Sequence, residues 1–144
     1  MMAAMRLLSR REYSDKELRL RLRNRNFTFE DIESVLEELI GCGYLSNQRF
    51  AESYARSRCS QGYGPQRIEM ELAERGVSEA DQQHAMCDLD VDWFDKAQAV
   101  RIKKFGLELP IEVRDRAKQW RFLQYRGFAS EHIVYAMKTL LEEV

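Results

Sequence analysis

A six-residue passage occurs three times in this chain at nearly equal intervals, and that repetition restricts the possible folds more than any other feature. Leu22-Arg23-Asn24-Arg25-Asn26-Phe27 aligns with Leu72-Ala73-Glu74-Arg75-Gly76-Val77 and with Leu123-Gln124-Tyr125-Arg126-Gly127-Phe128, at offsets of 50 and then 51 residues. In every copy Asn or Gly follows an Arg, as expected where a helix ends in a left-handed residue. The apolar residue after it is placed to anchor the turn. A new helix start comes next: Thr28 and Ser78 can accept from the first free backbone amides. The third copy has Ala129 there, which leaves the cap to Ser130. Glu30 and Asp31, Glu79 and Asp81, and Glu131 then occupy the first turns, where they complement the positive end of the helix dipole.

The helices that follow share an apolar face. Ile32, Val35, Leu36, Leu39 and Ile40 have the i, i+3, i+4, i+7, i+8 spacing of a buried stripe, and Ile133, Ala136, Met137, Leu140 and Leu141 repeat it. The middle copy keeps Ala85, Met86 and Leu89 but carries Gln82 where the others have Ile, so its face is partly polar. A unit of about 50 residues buries too little surface to be very stable alone, so neighbouring units should support one another. The expected fold is all-α, three tandem three-helix repeats over residues 1–44, 45–90 and 91–144. Two prolines and 33% charged residues suit such a helical protein, and nothing in the chain resembles a sheet.

Helix starts within the copies are equally readable. Ser14-Asp15-Lys16-Glu17 has the form of a capping box. Ser46 or Asn47 can cap a helix with Phe50, Ala51, Tyr54 and Ala55 on one face. Pro65, after Gly62-Tyr63-Gly64, suits the first turn of a helix, and the flanking glycines permit a sharp reversal. Tyr63 corresponds to Tyr13 at the same offset of 50, so a packing role at a helix entrance is expected of it. The glycines lack the order of a phosphate-binding loop.

Charge is strongly segregated beneath a net value of −1. Residues 27–52 hold one base and six acids, whereas residues 96–126 hold nine bases and three acids. In the first copy Lys16, Arg19 and Arg23 form a basic stripe whose ordinary reading is a solvated face. In the third copy Arg114, Lys118, Arg121 and Tyr125 lie at i, i+4, i+7, i+11, opposite Val113, Ala117 and Trp120, which are expected to be buried. With Arg101, Lys103 and Lys104 this is the most basic part of the chain. Such clusters attract phosphate backbones or acidic protein surfaces, and composition does not separate the two.

No residue set meets the geometric requirements of a catalytic site. His84 and His132 occupy non-equivalent positions without a partner at metal or nucleophile spacing, and each reads as a surface or satisfied helical histidine. Asp88, Asp90 and Asp92 resemble the start of a calcium loop, but Trp93 and Ala99 stand where Gly and Glu are required. These acids read instead as a linker and helix start, with Trp93 and Phe94 packed beneath. Cys42, Cys59 and Cys87 are odd in number and lack metal spacing, so free thiols are expected. No apolar run approaches the roughly 18 residues of a membrane span, and the N-terminus lacks the apolar core of a signal peptide. A cytoplasmic, non-enzymatic binding protein without cofactor or metal is the expectation.

Several motifs together resemble the RecX family of bacterial recombination regulators. They are Gly43-Tyr44-Leu45-Ser46-Asn47-Gln48-Arg49-Phe50-Ala51, Gly62-Tyr63-Gly64-Pro65-Gln66-Arg67-Ile68 followed by Arg75-Gly76-Val77-Ser78, Asp92-Trp93, Lys103-Lys104-Phe105-Gly106, and Phe122 to Phe128. The first copy departs from the others in having Asn26 in place of Gly. The resemblance implies an elongated, curved molecule, expected as a monomer, that lodges in the helical groove of the RecA–DNA filament. It implies limited filament extension and suppressed ATPase, co-protease and strand-exchange activities, with weak direct DNA binding besides. Charge and exposure nominate Arg67, Lys103, Lys104, Arg114, Lys118 and Arg121 as the residues that meet RecA or DNA. For Arg67 the alternative is a cap or a salt bridge to Glu71, one turn on. The alternative function is a helical DNA-binding module acting by direct contact. A helical adaptor for unrelated proteins is the third reading.

Overall fold

The computed structural model describes residues 1–138, and among these all regular structure is helical. The helices are α1 (Met2–Arg10), α2 (Asp15–Asn24), α3 (Phe29–Gly41), α4 (Asn47–Ser60), α5 (Pro65–Glu74), α6 (Glu79–Leu89), α7 (Trp93–Phe105), α8 (Val113–Arg126) and α9 (Ser130–Ala136). They follow the three-copy pattern helix for helix.

The repeated passage forms the same structure each time. Asn26, Gly76 and Gly127 all have positive φ, at 69°, 80° and 99°. The amides of Phe27, Val77 and Phe128 donate to the carbonyls of Leu22, Leu72 and Leu123 at 3.3, 3.1 and 3.2 Å. The residue before each donates three positions back, to Arg23, Ala73 and Gln124. This is the Schellman pairing that satisfies the orphaned carbonyls of a helix end. Leu22, Leu72 and Leu123 are buried in every copy.

Helix starts also obey local chemistry. Ser14 and Glu17 complete a reciprocal capping box. The hydroxyls of Thr28, Ser46 and Ser78 accept from Asp31, Arg49 and Asp81 at 3.2 Å each. Asp92 Oδ1 accepts from Phe94 and Asp95, so this acid opens α7. The third copy differs from expectation, since Ser130 is the first residue of α9 and Ala129 its cap position. Ala129 has no side-chain acceptor to offer, and the His132 Nδ1 instead accepts from the Ala129 amide at 3.3 Å. His132 is correspondingly buried.

The packing divides into two compact units, and the division passes through α4 and α5. The first comprises residues 1–56 and 71–89. One of its cores contains Leu7, Leu18, Leu22, Ile32, Leu36 and Leu39, with Val35 against it. Ile40, at the edge of the same stripe, is exposed. Gln82, the polar exception in the middle copy, donates its side-chain amide to the Val77 carbonyl at 2.9 Å. Two cations of the α2 stripe are used internally, while Arg23 is exposed: Lys16 Nζ donates to the Glu74 carbonyl at 2.9 Å, and Arg19 pairs with Glu33 at 2.6 and 3.3 Å. The hydrogen bond that Arg19 donates to Glu33 raises the Arg19 pKa against the opposing effect of burial.

The second unit comprises residues 57–70 and the described residues from Asp90 on. In it α7 packs chiefly along α9, with α8 against both. Ala97, Leu123, Phe128, Ile133 and Ala136 form one core cluster in it, with Trp93, Trp120, Phe122 and Met137 against it. Leu140 and Leu141, the last positions of the expected apolar stripe, lie outside the described residues. Two expectations are corrected here. Val113 is 83% exposed, because α8 turns its buried side through Gln119 and Leu123 and its first turn projects past the core. Arg101 is only 2% exposed and does not belong to the basic surface. It shares the inward face of α7 with Trp93 and Ala97 at i−8 and i−4, and donates to the Ala136 carbonyl at 2.7 Å and the Gly106 carbonyl at 3.3 Å. Burial lowers its pKa.

Candidate functional site

Within the second unit, two of the sequence motifs meet. The Gly64 amide donates to the Arg126 carbonyl at 2.7 Å and the Gln66 amide to the Gly127 carbonyl at 3.0 Å. Gly64 is required by this approach and not by its dihedrals, since a Cβ there would lie 2.6 Å from the Gly127 carbonyl group. A Cβ on Gly127 would in turn collide with Arg67. The entrance of α5 and the end of α8 are thereby held backbone to backbone.

Cationic and aromatic side chains interleave over this junction. The guanidinium carbons of Arg58, Arg67 and Arg126 lie 3.7, 4.8 and 4.7 Å from the Tyr63 ring centre. Arg67 is also 4.8 Å from the Tyr125 ring and donates to the Tyr125 carbonyl at 3.1 Å. Arg126 continues the series to Phe122 at 5.1 Å, which the Lys104 ammonium approaches at 5.8 Å. Each such contact contributes about 0.5–1 kcal/mol at an exposed site. Tyr63 therefore does more than pack at a helix entrance: it organises three guanidinium groups.

Of the six residues nominated from sequence, Arg67 sits within this cluster, half-buried and committed to Tyr125. Lys103 and Lys104 are exposed and join Lys96 and Arg126 around a cleft of about 320 Å³ walled by Gly62, Val100 and Phe122. Arg114, Lys118 and Arg121 lie exposed along α8 and have no ion-pair partner among the described residues. Tyr125, at the end of that stripe, is 72% exposed. Sequence reasoning did not select Arg58, Lys96, Phe122 or Arg126. The pairing of an Arg with an aromatic in both the Gly-Tyr-Gly-Pro and the Arg-Gly-Phe passages was the available signal.

The face offers cations, aromatic rings and a shallow basic cleft. Among the described residues there is no cluster of metal-ligating side chains, and no helix is long and apolar enough to cross a membrane. His84 is on the surface of the first unit, with its Nε2 3.2 Å from Glu52. Cys42 and Cys87 are exposed and Cys59 is buried, and all three are free thiols.

Three-helix units repeated along the chain, the second compact unit carrying an exposed basic and aromatic face, define a protein of helical-repeat type. The family models for the first, second and third three-helix domains of RecX match residues 1–39, 46–86 and 90–137, and the chain belongs to the RecX family. It is 45% identical to the regulatory protein RecX of Pseudomonas syringae pv. tomato over 130 residues, covering 90% of this chain and 84% of that one. It is 40% identical to the regulatory protein RecX of Vibrio vulnificus over 134 residues, covering 93% and 88%. The crystal structure of RecX from Lactobacillus salivarius shares the fold, with a TM-score of 0.75 at 22% identity over 98% of this chain and 91% of that one.

Proposed function

We propose that the protein is a negative regulator of RecA. It binds the RecA–DNA filament in its helical groove, limits filament extension, and inhibits the ATPase, co-protease and strand-exchange activities. Membership of a family of regulatory proteins across nearly the whole chain is the observation that carries this reading. The contacting surface is the basic and aromatic face of the second unit, with Arg114, Lys118 and Arg121 as its exposed charges and Lys103 and Lys104 at the adjoining cleft. Repeats over residues 1–44, 45–90 and 91–144 act together as a cytoplasmic monomer that opposes the motion or the DNA access that hydrolysis needs. Regulation of this kind needs no cofactor and no chemistry from the protein itself.

The single-stranded-DNA-dependent ATPase rate of RecA, titrated with this protein beside its direct binding to the same DNA, tests the reading. Inhibition at concentrations where bare DNA is unoccupied is expected. Inhibition that appears only as the DNA becomes coated supports the second reading, a DNA-binding module, which the interleaved cations and aromatics favour. Absence of inhibition at any concentration overturns the first.

A further inference from the structure

The geometry of Tyr125 points to a base-stacking residue at the end of a track for single-stranded DNA, and we propose that Tyr125 holds one unstacked base there while Arg121, Lys118 and Arg114 follow the phosphates. This rests on the reading that the face meets the filament, and it names the component met. Tyr125 is 72% exposed although the Arg67 guanidinium lies 4.8 Å from its ring centre. The guanidinium lies over the ring, and an exposure this large leaves ring surface available to a second partner. Arg67 is itself fixed by its bond to the Tyr125 carbonyl, so the aromatic platform is backed by a cation that cannot swing away freely. A nucleobase is the group that uses a flat open ring backed by positive charge, because every base has a π-face and stacking tolerates any sequence.

The charges supply the rest of the fit. From Arg114 to Tyr125 is eleven residues of helix, or about 16 Å at the rise of an α-helix. At the roughly 3.4 Å per nucleotide of a duplex strand this length would span about five nucleotides, and a more extended single strand would place fewer along it. Arg114, Lys118 and Arg121 have no ion-pair partner among the described residues, so phosphates meet them without displacing an acid. Duplex DNA keeps its bases stacked and cannot use the platform. An acidic protein surface would pair with the cations and leave Tyr125 without a role.

The test is fluorescence anisotropy of the full chain with a labelled oligothymidylate and with an abasic strand of equal length, for wild type, Tyr125→Ala, Tyr125→Phe and Arg121→Glu. Tyr125→Ala is expected to weaken oligothymidylate binding by about tenfold, as for loss of one stacked base. The same variant should leave the abasic strand unaffected, and Tyr125→Phe should bind as wild type. Arg121→Glu should weaken both strands, and the wild-type salt slope should be about −2 for three phosphates. Equal effects of Tyr125→Ala on both strands, no effect on either, or no wild-type binding at low salt overturns the stacking role. RecA ATPase inhibition is read in parallel. Inhibition retained without a Tyr125 stacking effect overturns this inference alone, whereas no inhibition by wild type overturns the filament reading whatever the oligonucleotides show. Inhibition weakened by Tyr125→Ala without a change in either strand overturns stacking and assigns Tyr125 to a protein contact.

Discussion

The Gly64 amide and the Arg126 carbonyl oxygen are 2.7 Å apart, a backbone hydrogen bond that joins residues 62 positions apart in the chain. It leaves no room for a side chain at Gly64, where a Cβ would stand 2.6 Å from the Gly127 carbonyl. Gly64→Ala must therefore push the two strands of backbone apart. We expect it to cost about 1–3 kcal/mol, the usual range for overpacking. Gly127→Ala should cost more, since it adds left-handed strain to a collision with Arg67. Urea midpoints of the two variants check the order. A Gly64→Ala midpoint equal to wild type would show that the two backbones can separate there at no cost.

Arg101 is a buried cation whose partners are backbone carbonyls, Ala136 at 2.7 Å and Gly106 at 3.3 Å. Hydrogen bonds from a charged donor contribute about 1.5–3 kcal/mol. Arg101→Ala removes these and the packing of the stem, so a loss of about 3 kcal/mol or more is expected. Arg101→Met keeps much of the stem but orphans the same carbonyls, and should be intermediate. Thermal unfolding of both variants decides this. If Arg101→Met matched or exceeded wild type, desolvation of the guanidinium would outweigh what it donates.

The α9 start lacks the hydroxyl that Thr28 and Ser78 provide in the earlier copies. His132 compensates from within the first turn by accepting from the Ala129 amide. Ala129→Ser should add an acceptor for the free amides and raise stability by about 1 kcal/mol. His132→Ala should lower it by a similar amount or more, because a buried side chain that also packs edge-on against Phe94 is lost. Opposite shifts in melting temperature are the expected result. A destabilising Ala129→Ser would mean that the entry backbone cannot accommodate the hydroxyl rotamer.

Local chemistry explains why so much of the fold was legible beforehand. The left-handed residues at Asn26, Gly76 and Gly127, the caps at Ser14, Thr28 and Ser78, and Pro65 at the head of α5 are each determined by a few adjacent residues. What local sequence does not determine depends on tertiary contact. Arg101 counted as surface charge because charge usually is, although its i−4 and i−8 neighbours Ala97 and Trp93 mark an inward face. Val113 counted as core because it continues an apolar spacing, yet nothing in that spacing says how far a helix extends past its support. The union of the two glycine motifs at Gly64 and Gly127 was beyond local pattern, since only a long-range approach gives Gly64 its reason. The candidate site divides the same way. Exposure along α8 followed from period, whereas the guanidinium groups gathered on Tyr63 required the fold.

The three thiols should separate by reactivity. Burial pushes the Cys59 pKa up, with Lys96 opposing in part, whereas Cys42 and Cys87 are exposed. Two thiols per chain should react rapidly with a disulfide reagent in the native state, and the third only on unfolding. Because the folded pKa of Cys59 is raised, its contribution to stability is present below the thiol's unfolded pKa and is lost as pH rises through the folded value. A rapid third equivalent in native conditions would contradict the burial.

Charge reversal along α8 tests the proposed contact face against the structural charges of the chain. Arg114, Lys118 and Arg121 are exposed, without ion-pair partners among the described residues, so Glu at all three should leave helical content intact. Exposed substitutions of this kind usually change stability by no more than about 0.5 kcal/mol each. Inhibition of RecA ATPase should nevertheless weaken by at least tenfold, if each lost contact is worth a typical charge-assisted interaction in a partly desolvated interface. The wild-type inhibition should weaken with added salt as well, because exposed charges are screened over about 10 Å at 0.1 M ionic strength. Reversal at Lys16 and Arg19 provides the contrast. Those cations are tied to Glu74 and Glu33, so reversing them should lower the melting temperature of the first unit. Inhibition that survives the α8 reversal in a folded protein would sink the assignment of this face and move the contact elsewhere on the chain.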